Sequence, residues 1–409
     1  MTRNALVLGC AAAASALLLA SCGGGSDDNG SPRFIQQIAV PGVGVGTNYS
    51  FDLGTVSGTT YYYTDRNNQA VEAIDIPTLT FAAQITGAGA NAFTGLKPSN
   101  ANSGPDGLNV VGTQLFAGDV NSVKVIDQGT KQVLRTIVTG MQGVRADEGC
   151  YDAVHGLYMI STPEASTPYA TFINPATQAV VATVTFTDSS GAPAAGLEQC
   201  RYDPGTDAFY VNNDGTTANP HGELDVLPGA AVRAMAAGAT INYTQLAGVH
   251  AYGEGNCDPT GLALGPGTDI AVGCREGTTG APLLVQILNR STGAIVASVN
   301  AGGGDQLEYD AVTNRYYNAG SRWTDSGNAA TNGACSAASP CTPVLAIIDA
   351  MTYAVVTRLP SGNNAHSVAI DANSGLAFMP ISSATAPAGC ATCAANGFTN
   401  AGVAVFAIR

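Results

Sequence analysis

Charged residues are scarce in this sequence, and positive charge is the scarcest. Among 409 residues there are 16 Lys and Arg against 30 Asp and Glu, which gives a formal net charge of −14. Charged residues make up 11% of the chain, whereas a soluble domain usually has about 25%. The shortage of basic residues argues against nucleic-acid binding, because phosphates must be neutralised by a basic surface. The 45% of hydrophobic residues excludes a disordered acidic chain.

The motifs of several enzyme classes are also missing. No serine lies in a G-x-S-x-G nucleophile elbow, and the four histidines show neither HxH nor HExxH spacing. There is no P-loop lysine, no dinucleotide-binding glycine motif and no CxxCH, so we expect neither a nucleotide nor a covalently bound haem. Gly, Thr, Ala and Val are frequent, and this composition favours strands and turns over helices.

The one long apolar run lies at the start of the chain. Arg3 precedes Ala5 to Ala20, a segment too short to span a bilayer comfortably, so it predicts a signal peptide. The run ends in Leu19-Ala20-Ser21-Cys22, which resembles a bacterial lipobox. We therefore predict a signal peptide at residues 1–21, a lipid anchor on Cys22 and a flexible tether at residues 22–33. An ordinary secretory signal is the alternative.

Lipidation would attach the protein to the membrane of the cell envelope. Gly23, rather than Asp, follows the cysteine, and by resemblance to lipoprotein sorting this favours the outer membrane. The sequence leaves open whether the protein would face the periplasm or the cell exterior.

Export also changes how the cysteines are interpreted. With Cys10 in the signal peptide and Cys22 lipidated, eight of the ten cysteines remain, and an even number predicts disulfide bonds. Local pairing is the simplest hypothesis, and the predicted pairs are Cys335 with Cys341, Cys390 with Cys393, Cys257 with Cys274, and Cys150 with Cys200. The CxxC spacing of the second pair also occurs in redox and zinc sites. It has no companion CxxC or nearby His here, so we interpret it as a loop disulfide.

A repeated hairpin pattern runs through the rest of the chain. Each copy is a β-rich run, an Asp or Asn with a Thr- or Gly-bearing turn, and a second β-rich run, which is typical of a β-hairpin. The five copies are VEAIDIPTLTFAAQIT from Val71, VKVIDQGTKQVLRTIV from Val123, ATFINPATQAVVATVT from Ala170, LVQILNRSTGAIVASV from Leu284 and LAIIDAMTYAVVTRLP from Leu345. The Asp or Asn of each copy can hydrogen-bond its own turn, and these residues are Asp75, Asp127, Asn174, Asn289 and Asp349.

A second pattern alternates with these hairpins. It ends in Asp and is followed by a short turn and another β-rich run. Its clear copies are NYSFD at Asp52, EGCYD at Asp152, QCRYD at Asp203, QLEYD at Asp310 and SVAID at Asp371, with weaker copies from Gly107 and Gly261. Together the patterns form seven four-stranded units of about 54 residues each. They predict an all-β fold, a seven-bladed β-propeller in one domain at residues 34–409. Two separate domains are the alternative.

The two ends of the chain predict how the ring closes. AGVAVFAIR at the C-terminus fits a third strand without a fourth, and FIQQIAV at residues 34–40 fits an orphan fourth strand. Pairing these segments would complete the last blade and remove exposed sheet edges.

The repeats resemble those of YVTN-type propellers, relatives of the NHL and lactonase-like seven-bladed families. The resemblance rests on hairpins of the form VIDxxTxxVxxTI and on Phe209-Tyr210-Val211-Asn212-Asn213, and it covers residues 34–409. These are turn and core residues, so the resemblance implies a fold and identifies no catalytic residue. The fourth unit departs most, because an Ala-rich stretch from Ala230 to Thr240 predicts a short helical excursion.

An acidic ring is predicted at one mouth of the central channel, where the loop entering each innermost strand opens. Counting back five residues from each strand-ending Asp, and aligning the weaker copies, gives Thr47, Asp106, Asp147, Glu198, Thr260, Asp305 and His366. A ring of carboxylates repels itself unless a cation or shared protons intervene, and Ca²⁺ prefers such oxygen ligands. We predict a divalent cation, most readily Ca²⁺, at Asp106, Asp147, Glu198 and Asp305. Alternatively, these acids cap loops and contact water.

The resemblance to lactonase-like propellers adds a possible reaction at this mouth. Those enzymes hold a divalent cation in the channel, where it polarises an ester carbonyl. The resemblance implies a lactone or ester hydrolase in which Glu198, Asp147 and Asp106 are ligands and Asp305 or His366 is the base.

A second candidate site is the rim around Trp323. Arg322 and Trp323 share a loop with Cys335 and Cys341, and an exposed aromatic on a stapled loop suits recognition of a carbohydrate or a protein. A Trp packed beneath its own loop is the alternative. Because the best-supported motifs are structural, the sequence favours a monomeric cell-envelope binding or scaffold module over the hydrolase.

Overall fold

Seven sheets, antiparallel except for one added strand, account for most of the regular structure in this computed structural model, which describes residues 30–274, 283–324, 335–386 and 389–409. The predicted signal peptide, Cys22 and most of the tether lie outside the described residues. The sheets are the blades of a β-propeller, so the predicted all-β, seven-bladed fold is confirmed. Among the residues that the structure describes, no helix is both long and apolar enough to cross a membrane.

Blades 1 to 3 follow the chain in order, each from its innermost strand outwards. Blade 1 contains β2 (Phe51–Ser57), β3 (Thr60–Asp65), β4 (Ala70–Asp75) and β5 (Thr80–Ile85). Blade 2 contains β6 (Leu108–Val111), β7 (Gln114–Asp119), β8 (Ser122–Asp127) and β9 (Gln132–Val138). Blade 3 contains β10 (Gly149–Asp152), β11 (Leu157–Thr162), β12 (Tyr169–Asn174) and β13 (Ala179–Thr185).

Blades 4 to 6 keep the same order, except for an insertion in blade 4. Blade 4 contains β14 (Leu197–Asp203), β15 (Ala208–Asn213), β16 (Glu223–Pro228) and β18 (His250–Gly253). Blade 5 contains β19 (Pro259–Leu264), β20 (Asp269–Cys274), β21 (Leu284–Asn289) and β22 (Ile295–Asn300). Blade 6 contains β23 (Leu307–Asp310), β24 (Arg315–Gly320), β25 (Val344–Asp349) and β26 (Val355–Pro360).

The last blade closes the ring as predicted. Its strands are β27 (Ala369–Asp371), β28 (Leu376–Ile381), β29 (Gly402–Ala407) and, outermost, β1 (Arg33–Ile38) from the other end of the chain. β1 pairs antiparallel with β29, from Arg33 opposite Ala407 to Ile38 opposite Val403. The first and last segments of the propeller therefore share one sheet.

The insertion in blade 4 contains the predicted helical excursion and one further strand. The helix α1 spans Gly229–Arg233, and β17 (Ala239–Asn242) follows it. β17 leaves its own blade and pairs in parallel with β13 at the outer edge of blade 3. The remaining helical segments are α2 (Ala391–Ala395) and short 3-10 turns at Gly89–Asn91, Asn100–Asn102 and Tyr243–Gln245.

The five predicted hairpins are the outer two strands of blades 1, 2, 3, 5 and 6. Their Asp or Asn side chains accept hydrogen bonds from turn N–H groups, as in Thr78 to Asp75 at 3.0 Å and Thr130 to Asp127 at 2.7 Å. The repeat motif is therefore a turn-forming motif, which explains why it predicts the fold well and says nothing of a ligand.

The hydrophobic core lies between neighbouring blades and in the loops above them. Phe172 of blade 3 packs edge-on against Phe209 of blade 4 with ring centroids 5.4 Å apart, and such pairs fill the wedge between two sheets. The four predicted disulfide pairs are all present, and Cys150–Cys200 joins the innermost strands of these two blades.

Closure of the last blade generates the first prediction. Phe406 of β29 is fully buried, whereas Phe34 of β1, which touches it edge-on, is 42% exposed. We expect Phe406→Ala to lower the free energy of unfolding by about 3–5 kcal/mol, because it removes a whole buried ring from the closing sheet. Phe34→Ala is the matched control and should cost less than half as much. Urea denaturation measures both, and equal losses would contradict this account of closure.

Candidate functional site

The predicted ring residues Asp147, Glu198, Asp305 and His366 line one cavity at the channel mouth, whereas Asp106 and Thr260 are buried and do not line it. Blade 1 needs a correction. In blade 1 the sequence pattern placed the end of the inner strand at Asp52, which put Thr47 in the ring. The structure shows that β2 continues to Ser57 and turns at Gly58, so that Asp52 itself occupies the ring position. The ring therefore consists of Asp52, Asp106, Asp147, Glu198, Thr260, Asp305 and His366.

A cavity of about 620 Å³ opens at this mouth. Its wall includes the ring residues Asp52, Asp147, Glu198, Asp305 and His366. The loops that enter the inner strands supply most of the remaining wall, and Arg322 reaches it from the loop after β24. The predicted rim residue Arg322 thus lines the same cavity as the predicted metal ligands.

Contacts across the channel narrow it below the cavity. Gln306 of blade 6 donates from Nε2 to the Gly54 carbonyl of blade 1 at 2.8 Å, although blade 7 lies between them. Deeper still, Arg201 of blade 4 donates to Glu308 of blade 6 at 3.0 Å. Since these pairs join blades that are not neighbours, they span part of the channel below the cavity.

Two buried arginines neutralise one side of the ring. Arg66, at the end of β3, binds Asp52 at 2.8 Å and donates through Nε to Asp106 at 2.7 Å. Burial alone would lower the pKa of Arg66, but Asp106 and Asp52 raise it above its usual value. The guanidinium thus stays charged between two acids of adjacent blades.

Arg145 has the same role between the next two blades of the ring. It lies 2.8 Å from Asp147, 2.9 Å from Glu164 and 3.7 Å from Asp106. Oxygens of Asp52, Asp106 and Asp147 approach within 4.8 Å of one another, which is the spacing of a metal-ligand group. Because both arginines bind among these oxygens, the charge of this group is already compensated, and it fits a cation poorly.

Glu148, in the cavity wall, differs from the acids that Arg66 and Arg145 bind. It directly follows ring residue Asp147, only 3% of it is exposed, and its Oε2 has no hydrogen-bond partner among the described residues. Burial raises the pKa of Glu148 well above its usual value, and the acids Asp147 and Glu198 raise it further. From the sequence, Glu148 is only an acid near the ring. The lack of a partner at its Oε2 depends on the packing of other blades around it, which the sequence does not show.

The ring of His366 has one nitrogen, Nε2, that could accept a proton. Its Nδ1 lies 2.7 Å from the Asn364 carbonyl, which only accepts, so Nδ1 carries the hydrogen and a neutral ring has its lone pair on Nε2. The ring stacks on Phe51 with centroids 4.6 Å apart, and this contact fixes its plane. The predicted base therefore has the tautomer that a base requires.

Trp323 does not form an exposed rim. It is 9% exposed, packs into the core between blades 5 and 6, and lies beneath the Arg358 guanidinium at 4.1 Å from the ring centroid. The expectation of an exposed aromatic is therefore wrong, because a cation–π contact and the core cover both faces of the indole. Residues 325–334 of the same loop lie outside the described residues.

Three disulfides brace the face on which the cavity opens. Cys335–Cys341 and Cys390–Cys393 lie in loops between the second and third strands of blades 6 and 7. Cys257–Cys274 joins the loop entering β19 to the end of β20. We call this side of the ring the cavity face. Cys257–Cys274 attaches one of its loops to a strand, and the other two disulfides close turns within their own loops.

Comparisons with known proteins support the fold and no narrower assignment. Neither a protein family nor a curated protein matches the chain. Among solved structures, a chain of the mitotic checkpoint complex is similar with a TM-score of 0.58 and 10% identity, over 99% of both chains. The WD40 repeats of RRP9 give 0.58 and 10% over 93% of this chain and 98% of theirs. Kuenenia stuttgartiensis hydrazine synthase gives 0.57 and 14% over 84% and 96%.

The arginine network generates a prediction about stability. We expect Arg66→Gln to lower the free energy of unfolding by about 3–5 kcal/mol, because it leaves Asp52 and Asp106 as buried acids without their cation. Arg135→Gln, on the exposed side of β9, is the matched control and should change stability by no more than about 0.5 kcal/mol. Thermal and urea unfolding measure both variants. If Arg66→Gln left the free energy of unfolding unchanged, Asp52 and Asp106 would not need the Arg66 guanidinium.

Proposed function

We propose that this protein is an exported lipoprotein of the cell envelope whose propeller binds a protein partner at the cavity face. In this proposal residues 1–21 are the signal peptide, Cys22 carries the lipid, residues 22–33 are the tether and residues 34–409 are a YVTN-type propeller. The lipobox-like segment before Cys22 supports the anchor, and Gly23 supports the outer membrane. The protein acts as a monomeric binding or scaffold module.

The observation that carries the binding role is Glu148, whose buried Oε2 has no hydrogen-bond partner among the described residues, in the wall of this cavity. A buried carboxylate oxygen without a partner is costly, and a Lys or Arg side chain entering from solvent would relieve that cost. The cavity wall has five acids and four basic side chains, and Arg66 and Arg145 are bound to Asp52 and Asp147, so an entering basic group would find its acceptor at Glu148. The braced loops around it keep the receiving surface rigid, which lowers the entropic cost of binding.

The similar structures support a protein partner over other ligands. Propellers commonly serve as rigid binding platforms, and one structural neighbour is a chain of an assembly, the mitotic checkpoint complex. At 10% identity this similarity supports the kind of role and identifies no partner.

The binding proposal predicts a loss of affinity on removing one charge. A partner isolated from envelope extracts should bind Glu148→Gln about 30-fold more weakly than the wild type, since a desolvated charge pair loses its acceptor. Asp349→Asn makes the same chemical change at a turn on the opposite face and should leave affinity unchanged. Surface plasmon resonance with the purified partner measures both. Unchanged binding by Glu148→Gln, or binding of envelope polysaccharide instead, would refute the proposal.

A metal-dependent lactone or ester hydrolase is the second candidate, favoured by Glu148 and His366 lying on one cavity wall. Glu198 and Asp305, two of the predicted ligands, would hold a divalent cation together with Glu148, since all three line the cavity wall. Asp106 and Asp147 bind arginines. Such a cation would polarise the ester carbonyl. His366 would accept a proton at Nε2 from the attacking water, and Asp305 would then serve as a ligand, not as the base.

The hydrolase candidate predicts a separation of metal binding from turnover. Glu198→Gln should lose both metal and activity, whereas His366→Gln should keep the metal and lose activity about 100-fold or more. Elemental analysis and screening of esters and lactones with added Ca²⁺, Mg²⁺ or Zn²⁺, with and without chelator, measure the two. If no hydrolysis is found, or if added metal does not increase it, the hydrolase candidate is refuted and only the binding role remains.

A further inference from the structure

We propose that Asp65 and Glu72 of blade 1 share one proton, and that this proton holds in place the segment that joins the last blade to the first. The segment, residues 39–50, runs from the end of β1 to the start of β2, and we call it the closing segment. Closure of the ring would then loosen as the pH rises. The inference does not depend on the proposed function.

The two acids lie side by side at the edge between neighbouring strands. Asp65 is the last residue of β3 and Glu72 is the third residue of β4, which pairs with β3. Both side chains are fully buried. Asn68, in the turn between the strands, donates from Nδ2 to Asp65 Oδ2 at 2.7 Å, and the same nitrogen lies 3.4 Å from Glu72 Oε1. One amide nitrogen therefore contacts both carboxyls.

The arrangement requires a proton on Glu72. Its Oε1 accepts from Gln84 at 2.8 Å, whereas its buried Oε2 has no partner supplied by the described residues. The two carboxyls are hydrogen-bonded to each other, which is impossible for two carboxylates because both only accept. A hydrogen on Glu72 Oε2, donated to Asp65, satisfies both groups. Burial and the neighbouring Asp65 raise the pKa of Glu72 to about 9, so the proton is present at neutral pH.

The groups that face the pair supply no positive charge. The Tyr49 hydroxyl donates to Asp65 Oδ2 at 2.8 Å, and the Tyr63 hydroxyl lies 2.8 Å from that of Tyr49. Burial raises the pKa of both tyrosines well above the usual value, so they stay neutral. Arg66 directly follows Asp65 but binds two acids of the channel ring instead. Across the described ranges of the chain, no Lys, Arg or His forms an ion pair with either member of the pair.

The hydrogen bonds of the pair extend to the closing segment. Tyr49 belongs to this segment, and Asn68 Nδ2 also donates to the Pro41 carbonyl at 2.8 Å. On the side of blade 7, the Tyr49 N–H donates to Ser382 Oγ at 2.8 Å, and the Ser382 hydroxyl donates back to the Tyr49 carbonyl at 2.8 Å. The closing segment is therefore fixed to blade 1 through the acid pair and to blade 7 through Ser382. Tyr49 also lines the cavity, so one part of its wall depends on these contacts.

Loss of the shared proton would place two carboxylates in contact at a buried site without a cation, which is unfavourable. Because the folded pKa of Glu72 lies above that of an unfolded glutamate, the folded protein holds a proton that the unfolded chain has already lost. The stability that the pair contributes is therefore largest in acid and is lost as the pH rises towards about 9. We expect the carboxylates to separate and the closing segment to lose its contacts with blade 1.

Urea unfolding at pH 7 and at about pH 9 tests the shared proton. In Glu72→Gln the new amide can donate to Asp65 at every pH and has no proton to lose. The unfolding equilibrium constant of the wild type should therefore rise about tenfold or more beyond that of Glu72→Gln between the two pH values, since one bound proton is worth about tenfold per pH unit. Asp349→Asn is the control, because the pKa of Asp349 lies below its usual range, and its effect on stability should be equal at both pH values. The same pH dependence in the wild type and in Glu72→Gln would refute the proposal.

Hydrogen exchange measured by mass spectrometry locates the effect and needs only the wild type. After correction for the intrinsic pH dependence of exchange, residues 39–50 should lose protection at the higher pH. The loop between β13 and β14, residues 186–196, should not, because its one acid, Asp188, has a pKa below its usual range. In Glu72→Gln the closing segment should stay protected at both pH values. Unchanged protection of the closing segment in the wild type, or an equal loss in the loop at 186–196, would overturn the inference even if Glu72→Gln does not fold.

Discussion

The whole architecture depends on one antiparallel ladder between the two ends of the propeller chain. β1 supplies the outer strand of blade 7, so the sheet that completes the ring contains residues more than 360 positions apart, such as Gln37 and Asn400, which share a hydrogen bond. Only a closed ring gives the seven inner strands a common axis. The ring of acids, the cavity and the contacts that cross the channel all follow from that axis.

Within the closed ring, the cost of burying charge decides which acids are available to a ligand. Asp52, Asp106 and Asp147 are compensated by two guanidinium groups, those of Arg66 at the end of β3 and of Arg145 in the loop before β10. Within the part of the chain that the structure describes, Glu148 forms no such ion pair, although it lies beside Asp147. The number of acidic residues therefore does not show which acids are available to a ligand, whereas the location of each positive charge does.

The sequence predicted those features that depend on neighbours along the chain. The turn-capping Asp and Asn residues predicted five hairpins, and the seven copies of the alternating second pattern predicted the number of blades. Asp52 was misplaced because β2 ends in Val56-Ser57, without the Asp that marks the end of the clear copies. Arg66 and Arg145 were missed because both bind Asp106, which is distant from each of them in sequence, and the burial of Trp323 depends on Arg358, which is also distant in sequence.

Neighbouring blades of this ring are not all joined in the same way. Blades 3 and 4 are joined near the axis by Cys150–Cys200 and at the periphery by the parallel pairing of β17 with β13. These two links oppose separation of blades 3 and 4 at two distances from the axis. Glu148 and Glu198 lie one on each of these blades, so the links also hold the spacing of the two acids on the cavity wall. We expect this cross-linked part of the wall to keep its shape when a ligand enters.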